Sequence, residues 1–398
     1  MKAHADVVVV GGGILGCGIA ARLAEGGAEV VLVERAQIAA GASGRNHGLI
    51  FRPEHPGVQP LARASMDAYR ELCGATPIDL ALDGNPVGLV IVVSEEAQWA
   101  AAEREAEVAA RSGCPVERLD ETGLRKIEPS LSEGHLGGFL IEDGYRVDPA
   151  ALTLALAYEA RASGAEVCTF TDVKQVLAAG GRVRGVATDR GVVEAPTVVD
   201  AAGPWAARLA RTASPEPAGL PIGGVRGWLL LTEAQPGLMC HIVESAGWHL
   251  AAGDPGPGGV TVGDHGKGGG GRRDLGTLVQ QNRGGQVLLG GSRAPALADA
   301  PEGADATAEI ARRAAAMVPA LALAAIAGVW SGVRPTSPDG FPLIGWVPGI
   351  DGLFVAGGHG GQGVTLGAGS ARLAAQMLLG VEPFTDPAPY DPGRFVPA

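Results

Sequence analysis

The chain has 398 residues, a formal net charge of -12 and a hydrophobic share of 46%. That length accommodates two domains sharing a large core, and that hydrophobic share excludes a globally disordered chain. The acidic balance sets aside nucleic acid and anionic membrane surfaces as partners.

Met1 to Asp6 is too short and too acidic for a secretory signal. No apolar run of about 18 residues occurs anywhere, so no membrane span is expected and the predicted location is cytoplasmic. Val7 to Val10 is a β-branched run suited to a strand buried on both faces. Gly11-Gly12-Gly13-Ile14-Leu15-Gly16 follows and fits the dinucleotide pattern at Gly11, Gly13 and Gly16. The first glycine permits the tight turn, the second lets the backbone approach a pyrophosphate, and the third packs helix on strand. A helix from Ile14 to Glu25 ends at Gly26-Gly27, and Glu29 to Glu34 reads as a second strand. Glu34 closes that strand about 20 residues after the glycines, where an acid holds a ribose hydroxyl pair and disfavours a 2′-phosphate. The pattern alone does not separate FAD from NAD.

Further along, Ser94 to Arg111 carries Glu and Arg at helical spacing and predicts a solvent-facing helix. Asp148-Pro149 predicts the capped start of a helix over Ala150 to Ser163, stopped by Gly164. Short strands are expected at 166–170, 173–178, 183–188, 192–194 and 197–200. From 221 to 289 the pattern predicts an antiparallel sheet, with strands at 225–232, 249–252, 260–263 and 287–289. Gly253 to Gly271 reads as a solvated flexible loop, with an active-site lid or a partner-docking loop as the alternatives. Ala304 to Met317 is an alanine-rich helix, and Gly352 to Ala356 is a last strand before a second glycine turn and a closing helix, Val364 to Leu379.

Cys17, Cys73, Cys114, Cys168 and Cys240 are odd in number and scattered, with no C-x-x-C pair. They predict buried thiols rather than a disulfide framework, and no metal site is expected.

Several segments carry a resemblance. Gly41-Ala42-Ser43-Gly44-Arg45-Asn46 resembles the stretch that crosses the flavin in FAD-dependent enzymes of the D-amino-acid oxidase superfamily. Asp200-Ala201-Ala202-Gly203-Pro204-Trp205 is similar to its second nucleotide signature. Gly332-Val333-Arg334-Pro335 with Asp339 to Gly345 is similar to its C-terminal signature, and Gly357 to Gly363 resembles the final flavin-contacting turn. These segments occur in the family's order over nearly the whole chain. The resemblance extends to glycine oxidases, D-amino-acid and hydroxyproline dehydrogenases, and cyanide-forming glycine dehydrogenases.

The resemblance implies an α/β fold: a Rossmann-like FAD-binding domain with an inserted antiparallel-sheet (α+β) substrate domain. Residues 1–85, 146–220 and 326–398 would form the first, and 86–145 with 221–325 the second. It implies FAD held without a covalent link, since the final turn lacks a cysteine. Gly11, Gly13, Ile14, Leu15, Gly16, Glu34 and Arg35 would serve the dinucleotide; Ala42, Ser43, Arg45, Asn46, His47 and Gly48 would serve its flavin edge. Val173, Ala202, Gly203 and Trp205 would complete the adenine side. Gly332, Gly358, His359, Gly360, Gly361, Gly363 and Val364 would lie near the flavin ring. Arg334 is the expected carboxylate anchor, with His47, Gln362 and His249 as further pocket candidates, and Trp248 beside the last. Arg226 reads as a structural turn residue.

The implied reaction is hydride loss from the carbon next to nitrogen of a small amine or amino acid. Oxidation of a 2-hydroxy acid, and a subunit passing electrons to a partner protein, stay open.

Overall fold

A computed structural model describes residues 1–53, 55–214, 220–246, 274–295 and 304–396. The run Val7–Val10 forms a strand with all four side chains buried, as an all-valine strand inside a parallel sheet must be. It is central to a six-stranded sheet ordered 343–346, 353–357, 197–200, 7–10, 30–33, 166–168. Val10 aligns with both Val33 and Asp200, so three parallel strands end together at the first glycine turn. Only the pairing of Leu343–Trp346 with Leu353–Gly357 is antiparallel. This is the doubly wound arrangement, in which ligands bind beyond the carboxyl ends of the strands.

Helices Ile14–Glu25, Pro149–Ala162 and Gly363–Leu379 pack against one another beside this sheet. Asp148 caps the second by accepting the amides of Ala150 and Ala151, each at 2.9 Å, as its Asp-Pro signature predicts. Helix Gln59–Ala75 braces the last one: Tyr69 Oη donates to the Val364 carbonyl at 2.6 Å, and the Gly369 amide donates to Ser65 Oγ at 2.8 Å.

The second large sheet has eight strands ordered 326–336, 223–234, 286–295, 274–281, 242–245, 89–93, 137–141, 116–119. All neighbours are antiparallel except 242–245 against 89–93. One face packs on helix Ala304–Met317 through Val90, Trp228, Val243, Val279 and Leu289. The other face lines the cavity described below. The α/β class with a parallel nucleotide sheet and an antiparallel-rich companion is therefore present. No helix of the described residues is long and apolar enough to cross a membrane.

Several expectations need correction. Residues 326–336 form an 11-residue strand that takes in Gly332 to Pro335, a segment for which no strand was expected. Its proline is tolerated because the strand is an edge, where a missing N–H breaks no ladder. Arg226 likewise sits in strand Gly223–Ala234. The helix expected to face solvent begins as a 3-10 turn at Glu96–Gln98 and then runs Trp99–Arg111. It buries Ala101, Ala102 and Ala106, because its alanines recur on one side. Cys17 and Cys114 are buried and Cys168 is half-buried, whereas Cys73 and Cys240 are exposed. The strands expected at 249–252 and 260–263 and the glycine-rich loop lie outside the described residues.

Candidate active site

The first glycine turn is shaped by close backbone approaches. Gly11 has φ 115°, and a Cβ there would collide with the carbonyl of Ala201. A Cβ at Gly13 would lie 2.9 Å from Ser43 Oγ, which accepts the Ile14 amide at 2.9 Å. Gly16 contacts the Gly11 carbonyl, so it packs the helix on the turn and lies off the cavity. Glu34 accepts the Gly12 amide at 2.7 Å and the Ala36 amide at 2.8 Å, which fixes its carboxylate at the strand end. Arg35 stacks 3.7 Å over the Trp205 ring, and both line the same groove as Val173, Ala202 and Gly203.

The segment after Gly41 is tied by Asn46. Its Nδ2 donates to the carbonyls of Ala42 and Ser43, and its Oδ1 accepts the Gly48 amide at 2.7 Å. Gly48, at φ 68°, abuts the Val147 carbonyl and faces away from the cavity. Ala42, Ser43, Arg45, Asn46 and His47 line the cavity. Arg45 is exposed, donates to the Ser331 carbonyl at 3.2 Å, and its own carbonyl approaches Gly332. This docks the segment onto strand 326–336. The final turn docks there too, through a bridge between Thr336 and His359.

At that seam the groove opens into a single cavity of about 1290 Å3. Its walls include Leu15, Arg334, Gly360, Gly361, Gln362, Gly363 and Val364. Gly358 lies just outside it, against Leu343 and Ser337. His359 reaches the cavity wall but turns its Nε2 to Ser370 Oγ at 2.9 Å. Burial outweighs the pull of the Gly357 carbonyl and lowers its pKa to about 4, so this histidine is neutral.

Arg334 crosses its neighbouring strand over Gly227, where a Cβ would lie 2.6 Å from Nη1, and donates to the Ser292 carbonyl at 3.2 Å. Burial, with a smaller push from Arg293, lowers its pKa to about 10, so it remains cationic at neutral pH. His47 packs its imidazole against Gly290, which Leu229 also approaches, and Gln280 Nε2 donates to the His47 carbonyl. Burial first, then the charge of Arg334, lowers the His47 pKa to about 3. Around Arg334 the cavity presents that guanidinium, the neutral His47 imidazole and apolar side chains, with Arg293 and Glu244 further along its wall. That set suits an anion, and no nucleophile–base pair stands beside it among the described residues.

His249 and Trp248 lie outside the described residues. Glu244, Arg293, Ile91, Leu229 and Leu278 also line the cavity and were not anticipated. The Gly290-Gly291 doublet inside a strand was the available signal for a close approach.

The donors at the nucleotide end suit FAD. Helices Ile14–Glu25 and Gly363–Leu379 have no acidic residue in the first turn and no cap from the residue that precedes them; at the first, Ser43 takes only the Ile14 amide. Residues at both helix starts line the groove, a setting suited to a diphosphate at one end and a reduced ring at the other. The glycine approaches and the anchored Glu34 fit the group.

Comparison with known proteins agrees. Residues 6–377 match the profile of the FAD dependent oxidoreductase family, DAO. The chain is 30% identical to the glycine oxidase of Pseudomonas putida over 399 residues, covering 97% of this chain and 98% of that one. It is 28% identical to the hydrogen cyanide synthase subunit HcnC of Pseudomonas protegens, covering 83% and 72%. Among solved structures, glycine oxidase from Geobacillus kaustophilus superposes with a TM-score of 0.82 at 28% identity, covering 98% of both chains. The chain therefore belongs to the FAD dependent oxidoreductase family and is an enzyme with FAD as its cofactor.

Proposed function

We propose that the protein oxidises a small amino acid or secondary amine at the carbon next to nitrogen. The observation that carries this reading is Arg334, a buried guanidinium pinned at one edge by the Ser292 carbonyl and facing the cavity. A planar fork of donors suits a carboxylate, and it would fix the substrate carbon for transfer. FAD, when bound, would supply the hydride acceptor; the amine, losing a hydride from carbon and a proton from nitrogen, would leave as an imine for water to hydrolyse. His47 and His359 stay neutral at working pH, so neither adds charge that would compete with Arg334 for the carboxylate. The glycine oxidase relatives support the amine class. The same reading assigns FAD to residues 1–85, 146–220 and 326–398, and substrate to 86–145 and 221–325. The likeness to HcnC, a synthase subunit, keeps a partner protein in view as electron acceptor.

The test is anaerobic mixing of the flavin-loaded enzyme with amino acids, N-methyl amines and 2-hydroxy acids while flavin absorbance is followed. Bleaching by an amine class is expected, with Arg334→Ala lowering the second-order rate by about 30-fold or more. Bleaching only by hydroxy acids overturns the amine reading. Reoxidation in air then separates use of oxygen from use of another acceptor.

A further inference from the structure

We propose that Phe51, Arg52, Pro53 and His55 form a strap across the outer end of the cavity, and that Arg52 latches it shut against the end of helix Trp99–Arg111, so that reagents and substrate reach the flavin when this latch opens. The inference goes beyond the amine reading and needs only that the cofactor lie along this cavity.

The cavity floor is one face of the eight-stranded sheet. It runs from Arg334 on strand 326–336, past Leu229, Leu278 and Ile91, to Ile141 on strand 137–141. Those two strands stand six places apart in the sheet, roughly 29 Å at ordinary spacing. At the outer end the wall is helix Trp99–Arg111, through Ala101, Val108 and Ala109. Arg104 and Arg111 line the cavity there and are exposed, so this end meets solvent.

All four strap residues line the cavity, and the strap is held on both sides. Toward the nucleotide sheet, His55 meets Phe341 edge-on with ring centroids 4.7 Å apart, and the buried Tyr390 donates from Oη to the Gly57 carbonyl at 2.5 Å. Toward the other sheet, Phe51 and Arg52 each sit on a glycine with left-handed backbone. A Cβ at Gly144, φ 89°, would lie 2.7 Å from the Phe51 ring, and one at Gly113, φ 83°, would lie 3.0 Å from Arg52 Nη1. Asp143 Oδ2 accepts the Arg52 amide and the Ser112 carbonyl accepts Arg52 Nη1, both at 2.6 Å. Ser112 ends the helix, where a cation is favoured by the backbone dipole.

The two sides differ in strength. Tyr390 is buried, whereas Arg52 is exposed, and hydrogen bonds made where water competes contribute little net. Segments held by a few exposed bonds open locally long before the chain unfolds. The weak clasp is therefore at Arg52, and the anchored side is the hinge.

Hydrogen exchange and reduction by dithionite are measured on the flavin-loaded enzyme, the second at about 0.5 M salt to screen the effect of the lost charge on an anionic reagent. Arg52→Met is expected to speed amide exchange at 50–52 and 112–114 by about fivefold, leave 57–61 unchanged, and raise the second-order rate of reduction by a similar factor. Arg52→Lys keeps the charge and one donor, so it should fall between the wild type and Arg52→Met; it carries the test alone should the Met variant fold poorly. With the amine that reduces the flavin best, the second-order rate should rise while the limiting rate stays within about twofold. Unchanged exchange in both variants overturns the latch. Faster exchange with unchanged dithionite reduction overturns the gate, because the flavin is then reached by another opening. Failure of every amine to bleach the flavin overturns the reading of Arg334 instead, since exchange and dithionite decide this proposal without an amine.

Discussion

His47 and Asp200 are both buried, and burial moves their stability contributions in opposite directions with pH. His47 is pushed down to about 3, so between there and its ordinary value of 6.5 the unfolded chain takes a proton that the folded one refuses. Its stability contribution is therefore present above about pH 6.5 and lost as pH falls. Asp200 sits where the strands at 7–10 and 197–200 end; Oδ1 accepts the Ala202 amide at 3.1 Å, and Oδ2 has no partner among the described residues. Burial raises its pKa from 3.8 to about 7, against the smaller pull of that amide. The folded chain keeps a proton that the unfolded one has released, so the penalty grows as pH rises from about 4 and is complete above about 7. Asp200→Asn should therefore raise the melting temperature at pH 8 and change it little at pH 4. Equal shifts at both pH values would sink this account. At this scale the sequence was legible where chemistry is local: Glu34, Ser43 and Arg334 stand where their motifs put them. Arg293 and Glu244 carry no motif. Their place on the cavity wall depends on strand register and an irregularity near Gly291, which single-residue patterns do not encode.

At the scale of elements, strand 326–336 is the seam of the molecule. It pairs with 223–234 on one side and receives the Arg45 segment and the His359 turn on the other. Its glycines and proline disguise it as a turn in the sequence, because an edge strand tolerates what a central one would not. Gly332 and Gly227 are paired in it, and each is small for a reason outside the sheet: Arg45 approaches the first and the Arg334 guanidinium lies over the second. Gly227→Ala should displace that guanidinium and slow amine-driven flavin bleaching by about tenfold, with flavin content unchanged. Flavin loss in this variant would place Gly227 in cofactor rather than substrate support. The helix starts were easier to read. Asp148 announces its cap through the Asp-Pro pair, and Asp148→Ala is expected to cost about 1 kcal/mol in chemical denaturation. A loss near zero would mean that packing of Leu152, Ala155 and Leu156 holds that helix alone.

For the whole molecule, the decisive relation is between what is local and what is assembled. The nucleotide sheet was legible because each glycine turn, with its strand and helix, occupies a short continuous stretch. The substrate wall was legible only residue by residue: His47 and Arg334 were expected there, but their meeting beside Gly290 draws on far-separated parts of the chain. These parts meet at the proposed cofactor site: segments at 11–15, 34–36, 42–47, 201–205 and 359–365 all contribute to the cavity. A ligand that contacts all of them in the folded chain and none together in the unfolded one stabilises by mass action, about 2.7 kcal/mol at a hundredfold excess over its Kd. Removing FAD should accordingly lower the melting temperature, and adding it back should raise the midpoint in proportion to the logarithm of its concentration. The gain should be smaller in Ser43→Ala, whose hydroxyl accepts the Ile14 amide at the helix start. A melting temperature indifferent to FAD would mean that the two sheets are joined rigidly without it. The seam strand, with Arg45 and His359 docked on one side, would then carry the whole of that joint.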